Sequence, residues 1–301
     1  MLIGSMQTAS LPGFKEVPSG APANVAVGIS KLGGSSAFIS KVGADEFGYM
    51  LVDILKQNNV DTSGMRFDFN ARTPSTFFTI RADGKREFSF FRNPSADMLL
   101  DETKLDCNLI KKAKIFHHGS MSLIDNPCKY VHLAVLRIAK DSDCILLYDP
   151  NLRLALWPTA WDARNVLFSY VLQISEDEIT FLTCGGDPSD DDVVLDKLFH
   201  PNLKLLIVTE GSGDFKGKVG GANVEPFDTT GAGDAFVSGI LYKIASDPSI
   251  FKDEKRLQKA LYFANVCAAI TMMNWGQFLH YLQKMLSCNL MQIGTYCCYK
   301  M

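Results

Sequence analysis

The sequence predicts an α/β protein built on a largely parallel sheet, and three observations carry that expectation. Short apolar runs of strand length alternate with stretches of helical periodicity from about residue 105 to residue 271. The run Leu203 to Val208 is apolar but for Lys204, the pattern of a strand of parallel-sheet type. Finally, 301 residues with 47% hydrophobic and 21% charged side chains suit one large soluble α/β domain, neither disordered nor fibrous.

Taken in order, Pro22 to Leu32 reads as a buried helix, with Pro near its first turn and Gly33-Gly34 as its stop. Ser35 to Val42 reads as a strand, and Asp45 to Gln57 as a helix with Phe47, Leu51, Ile54 and Leu55 on one face. Thr73 to Arg92 changes character. Its alternating pattern around Asp83-Gly84 predicts a β-hairpin, which could cover a site as a lid. Further on come a helix before Ala113, a strand Lys114 to Gly119, a helix from about Pro127 to Lys140 and a strand Cys144 to Tyr148. A strand Val171 to Ser175 precedes helices opening at Glu176 and Asp190. Then follow a strand from Leu203, a strand from Lys218, and helices Ala232 to Ala245 and Glu254 to Thr271. The tail from Met272 fits none of these templates clearly.

Several function classes are disfavoured. A net charge of -3 provides no basic field for nucleic acid, and no apolar run approaches the roughly 20 residues that span a bilayer. The eight cysteines form no Cys-x-x-Cys pair and read as reduced core residues; with no secretory signal at Met1 to Ser5, a cytoplasmic location is expected. His117-His118 lie adjacent on a strand and so point to opposite faces, which argues for a structural role rather than a shared metal.

The stretch Asp228-Thr229-Thr230-Gly231-Ala232-Gly233-Asp234-Ala235-Phe236 carries the chemistry. Gly231, Ala232 and Gly233 leave the N–H groups of a helix start uncovered, and these bear the positive end of the helix dipole, where a phosphate can approach. Asp234 lies in the same first turn. A carboxylate beside phosphate is best used to take a proton from an attacking hydroxyl. Residue types alone fit an ordinary helix entry equally well. Other candidates are Gly20 and Asn24 for ligand contact, Arg92 at the exit of the hairpin, and Arg153 in Asp149-Pro150-Asn151-Leu152-Arg153. That segment directly follows a strand, at the edge where open α/β sheets place ligands. Each has a simpler reading: a helix-start polar residue for Asn24, a solvated turn for Arg92, a surface ion pair for Arg153. Glu178 in a helix first turn suits the dipole and could also orient a hydrated magnesium.

Four segments agree in order and spacing with one family: Ser19 to Ala26 with Leu32-Gly33-Gly34, Phe90 to Leu100, Asp149 to Arg153, and Asp228 to Asp234. Over approximately residues 14 to 271 the chain resembles the ribokinase-like (PfkB) carbohydrate kinases, on their plant-type fructokinase branch. The resemblance implies a single three-layer domain over residues 1–301, with a mostly parallel central sheet, a small β lid from about residues 10–20 and 68–97, and a divergent tail at 272–301. It implies ATP-dependent phosphorylation of D-fructose to fructose 6-phosphate. Asp234 would be the catalytic base, and the N–H groups of Gly231, Ala232, Gly233 and Asp234 the anion hole. Gly20, Asn24 and Arg92 would contact the sugar and Arg153 would steady the phosphate. Thr209 and Gly211 would border the nucleotide, with Asn265 near the adenine. Glu178 would organise Mg2+ through water, K+ is a further candidate ion, and a homodimer through the lid is the implied assembly.

Three departures from the family pattern stand out. Met1-Leu2-Ile3 resembles the stub of the family's first central strand, with Gly4 where a sugar-binding Asp is expected. About eight residues are absent after Gly211, and the usual closure beyond Thr271 is missing. These departures motivate an alternative expectation, a catalytically impaired isoform acting as a binding or regulatory partner.

Overall fold

The computed structural model describes residues 2–7, 12–80, 86–92, 94–164, 171–209, 218–221, 229–273 and 294–300. In chain order the strands are β1 (Leu2–Gln7), β2 (Pro12–Val17), β3 (Ser40–Gly43), β4 (Met65–Asp68), β5 (Ser75–Ile80), β6 (Arg86–Phe91), β7 (Ile115–His118), β8 (Ile145–Tyr148), β9 (Val171–Ser175), β10 (Leu205–Thr209), β11 (Lys218–Gly221) and β12 (Gly294–Lys300). The α-helices are α1 (Ala21–Lys31), α2 (Glu46–Gln57), α3 (Cys107–Lys111), α4 (Cys128–Asp141), α5 (Ala160–Arg164), α6 (Glu176–Leu182), α7 (Asp191–Leu198), α8 (Ala232–Ser246) and α9 (Glu254–Met272).

The continuous apolar runs become buried strands. A six-stranded sheet runs in the order β11-β12-β10-β9-β8-β7, with β7, β8, β9 and β10 mutually parallel. Successive residues of β10 point to opposite faces, and each face meets its own helical layer. Leu205 and Ile207 pack with Phe236 and Ile240 of α8 and Leu261 of α9, while Leu206 and Val208 pack with Ile179, Val194 and Leu198 of α6 and α7. Three layers result, as the family resemblance implies. Burying a Leu, Ile or Phe side chain stabilises by about 1.5–3 kcal/mol, so these two clusters hold the sheet edge rigid beneath the loops that follow it.

Local signals set the helix ends. The Asp45 side chain accepts from Gly48 N–H at 2.9 Å and caps α2. Ser175 and Glu178 form a capping box on α6.

The predicted hairpin forms as β5 and β6, antiparallel from Ser75–Phe91 to Ile80–Arg86, within a second sheet ordered β2-β1-β5-β6. Here one expectation is corrected. Leu2 and Ile3, read from sequence with Met1 as the stub of the first central strand, lie in β1, which pairs instead with β2 and β5 in this second sheet. The predicted strand Ser35 to Val42 also shortens to Ser40–Gly43, because residues before it make only one isolated bridge, Ala37 to Asp61. It pairs with β4 alone, in a separate two-stranded sheet. The tail contributes β12, which inserts antiparallel between β10 and β11. The part of the predicted strand beyond Gly221, and the apolar stretch Phe278 to Leu286, lie outside the described residues.

Candidate active site

Asp234 is the third residue of α8, and the N-cap before that helix is Gly231 in the left-handed region at φ 82°. A side chain there would be strained, so glycine is what lets the chain turn sharply into the helix. At Gly233 a Cβ would meet nothing within 4 Å, so open space lies over the helix start. First-turn N–H groups of a helix have no carbonyl one turn earlier to bond. Ala232 N–H turns back to the Thr229 carbonyl at 3.3 Å, and the helix start forms a positively polarised cradle with a carboxylate beside it.

Asp234 is only 8% exposed, and burial pushes its carboxyl up to about 6. Two groups oppose that shift: a hydrogen bond from Asn24 Nδ2, at 2.6 Å to Asp234 Oδ2, and the Arg153 charge. Asn24 comes from α1, some 210 residues earlier in the chain, so this bond ties the two glycine-bounded helices together. Ser238 reinforces the junction by donating to the Asp234 carbonyl at 2.7 Å and the Val25 carbonyl at 3.3 Å.

Asp149, immediately after β8, is a second buried carboxyl. Burial, then Glu178 and Asp234, hold it well above the usual carboxylate range, with Arg153 opposing. Arg153 therefore lies within electrostatic reach of both acids while the residue stays exposed, its Nη1 donating to the nearby Leu152 and Asn151 carbonyls at 3.1 and 3.4 Å. Glu178 anchors the loop carrying Arg153. Its Oε1 accepts from Leu152 N–H at 2.8 Å, and its Oε2 from Ser175 N–H and Oγ at 2.9 Å each. Those three bonds leave about one of a carboxylate's four acceptor sites for water.

Gly20, Arg92, Asp149 and Arg153 line one cavity of about 1110 Å³. Arg92 is held at its rim by Asp97, with Nε to Oδ2 at 2.9 Å and a second contact from Nη2, and it also reaches the Met121 carbonyl at 3.5 Å. Thr209 and Asn265 do not line this cavity. Thr209 ends β10 and accepts from Gln173 Nε2 at 3.2 Å, whereas Asn265 is fully buried in α9. Gly211 lies outside the described residues. Sequence reasoning missed Asp97 and Asp149, although each sits in a segment it had singled out; only the fold shows that Asp97 pairs Arg92 and that Asp149 is buried beside Asp234. His118 is buried with His132, ring nitrogens 3.1 Å apart, which agrees with a structural role.

Among the described residues, no helix is long and apolar enough to cross a membrane, and no cluster of three or more metal-ligating side chains occurs.

Residues 6–276 match the model of the pfkB family carbohydrate kinases. Probable fructokinase-7 of Arabidopsis thaliana is 62% identical over 286 residues, covering 91% of this chain and 83% of that protein. Among solved structures, the fructokinase of Xylella fastidiosa with bound ATP superposes with a TM-score of 0.84 at 29% identity, over 95% of this chain and 96% of that one. The fructokinase of Vibrio cholerae O395 in fructose, ADP and calcium ion bound form gives 0.79 at 29% identity, over 92% of each chain. With the Asp234 cradle and the three-layer fold already in place, this chain belongs to the pfkB family of carbohydrate kinases.

Proposed function

We propose that the chain transfers the γ-phosphoryl group of ATP to a hydroxyl of D-fructose, giving fructose 6-phosphate and ADP. The observation that carries this reading is the buried Asp234 carboxylate at the start of α8, beside an uncovered cradle and held by Asn24. As the hydroxyl oxygen bonds to phosphorus and the bond to the leaving ADP oxygen breaks, Asp234 takes the hydroxyl proton. A carboxyl raised to about 6 is ionised near neutrality yet basic enough to accept that proton. The N–H groups of Gly231, Ala232, Gly233 and Asp234 face the charge spread over the equatorial phosphoryl oxygens. Relatives crystallised with ATP, or with fructose and ADP, support the choice of substrates.

The remaining assignments belong to the same reading. Gly20, Asn24 and Arg92 contact the sugar, and Arg153 steadies the transferred phosphate. Thr209, Gly211 and Asn265 serve the nucleotide. Residues 1–301 act as one domain, with the sheet β2-β1-β5-β6 as a lid that excludes competing water and offers a homodimer surface. Mg2+ usually keeps several waters and uses one or two carboxylates plus substrate phosphates, so the spare acceptor site on Glu178 fits a water-mediated contact. The ion would neutralise charge on the phosphates; K+ is a second counter-ion in this reading. Cys107, Cys128, Cys144, Cys184 and Cys267 are free, which supports a cytoplasmic location.

A second reading, a non-catalytic partner, is favoured by the interruption between β3 and β7, which leaves the sheet in two pieces beside the site. The two readings separate in one experiment. Purified chain incubated with magnesium, ATP and D-fructose is followed by phosphorus NMR. Fructose 6-phosphate absent from an Asp234→Ala control supports the kinase; no product above that control leaves only the partner role.

A further inference from the structure

Asp149 has no part in the proton transfer described above, yet it is built into the same site with care. It directly follows β8, which lies between β7 and β9 in the sheet, so its backbone is fixed from both sides. Its N–H donates to the His118 carbonyl at 3.0 Å, and Ser120 N–H donates to the carbonyl of the next residue, Pro150, at 3.1 Å. The Asp149 side chain accepts from Asn151 N–H, two residues on. Asn151 stands in the left-handed region at φ 42°, which asparagine tolerates better than most side chains. The turn so formed borders the cavity, which Asp149, Asn151 and Arg153 line together with Gly20 and Arg92.

The position is buried, Asp149 being 7% exposed. An ionised Asp149 would share its surroundings with Glu178 and Asp234 against one cation, Arg153. A further buried negative charge beside two others is costly, and a carboxyl escapes that cost by keeping its proton. Asp149 is accordingly held well above the usual carboxylate range, first by burial and then by Glu178 and Asp234. A protonated carboxyl offers an O–H to donate as well as oxygens that accept. Asn151 N–H occupies one acceptor position, and the O–H is left for the cavity.

We infer, on the kinase reading, that Asp149 is a sugar-binding residue whose carboxyl O–H donates a hydrogen bond to a fructose oxygen near the hydroxyl that Asp234 deprotonates. The charge of Asp234 acts directly on Asp149, which sets the two side chains close enough to address neighbouring sugar oxygens. A donor is what this end of the site lacks. Asp234 is an acceptor when ionised, Asn24 Oδ1 is a buried acceptor without a partner among the described residues, and the Arg92 fork is engaged by Asp97. Sugar hydroxyls can give their protons to such acceptors, but their oxygens, and above all a ring oxygen, which carries no hydrogen, are bound only by donors.

The test reads sugar binding apart from turnover. Fructose and ATP are titrated separately, by calorimetry, into wild type, Asp149→Asn and Asp149→Ala, each shown by thermal unfolding to be folded, and steady-state rates are then measured. An asparagine amide keeps both a donor and an acceptor, whereas alanine keeps neither. Asp149→Asn should bind fructose within about threefold of wild type, and Asp149→Ala about tenfold more weakly, with KM raised in step and kcat little changed. ATP affinity should be the same in all three. Infrared difference spectra recorded as fructose is added should show a protonated-carboxyl band that shifts in wild type and is missing from Asp149→Asn, a signal that does not depend on the alanine variant folding. Unaltered fructose binding by Asp149→Ala, an asparagine variant as weak as the alanine one, a parallel loss of ATP affinity, or no such band overturns the inference. The kinase reading falls separately: fructose that binds wild type through Asp149 without being phosphorylated removes turnover and leaves the contact standing, whereas phosphorylation indifferent to Asp149→Ala does the opposite.

Discussion

Replacing Asp234 with Asn should make the protein more stable while disabling it. The native carboxyl titrates at about 6 against an ordinary 3.8, a shift of about 2.2, caused first by burial. At about 1.36 kcal/mol per pH unit this is about 3 kcal/mol of cost for holding the charge inside. An asparagine amide resembles the protonated acid, so Asp234→Asn should recover about 1–3 kcal/mol. The sign follows from proton binding. Between pH 3.8 and about 6 the folded state holds the proton more tightly than the unfolded state, so wild-type stability falls as pH rises through that window. The cost is complete above about 6 and absent below 3.8. Urea unfolding followed by far-ultraviolet circular dichroism should show the full gain at pH 8 and roughly half to three quarters of it at pH 5. A variant less stable than wild type at pH 8, or a gain indifferent to pH, would refute the reasoning.

Other substitutions probe the remaining parts. Asn24→Ala removes the bond that lowers the Asp234 carboxyl, so the acid limb of kcat/KM for fructose should move to higher pH; an unmoved limb argues against the contact. Gly233→Ala meets no steric obstacle and should leave stability equal or raise it by about 0.5–1 kcal/mol. It should nevertheless lower kcat about tenfold or more by crowding the cradle, and unchanged kinetics would contradict a phosphate there. Glu178→Ala frees Leu152 N–H and removes the Glu178 half of the α6 capping box, costing about 1–2 kcal/mol by thermal unfolding and weakening fructose phosphorylation through Arg153. Asp97→Asn should loosen Arg92 and raise KM for fructose while changing kcat little, as steady-state rates would reveal.

Much of the fold could be read in the sequence because its signals are local. The Val171–Ser175 strand, the helix opening near Asp45 and the hairpin of β5 and β6, signalled by Asp83-Gly84 in the sequence, each need only neighbours in the chain. The Gly-Ala-Gly-Asp entry was equally visible, since a glycine at φ 82° and an acid in the first turn are one local device. What escaped depends on distant partners. β4 needs β3 beside it, and Leu2 to Gln7 joined the second sheet because β2 and β5 offer ladders on both sides. Strand β12 finds its place only through β10 and β11. In the site, Asp149 looked like a loop residue, and its burial appears only once β8 lies in the sheet next to α8. Asn24 is the clearest case: a helix-start amide by sequence, it meets the catalytic candidate across 210 residues.

The central claim is that Asp234 accepts the proton of an attacking fructose hydroxyl while the start of α8 holds the phosphoryl group. The most direct test compares fructose-dependent phosphoryl transfer from γ-labelled ATP by wild type and Asp234→Asn, both verified as folded. Loss of a positioned general base should lower kcat by about 10²–10⁴-fold with ATP affinity retained. Equal rates in the two proteins would contradict the account.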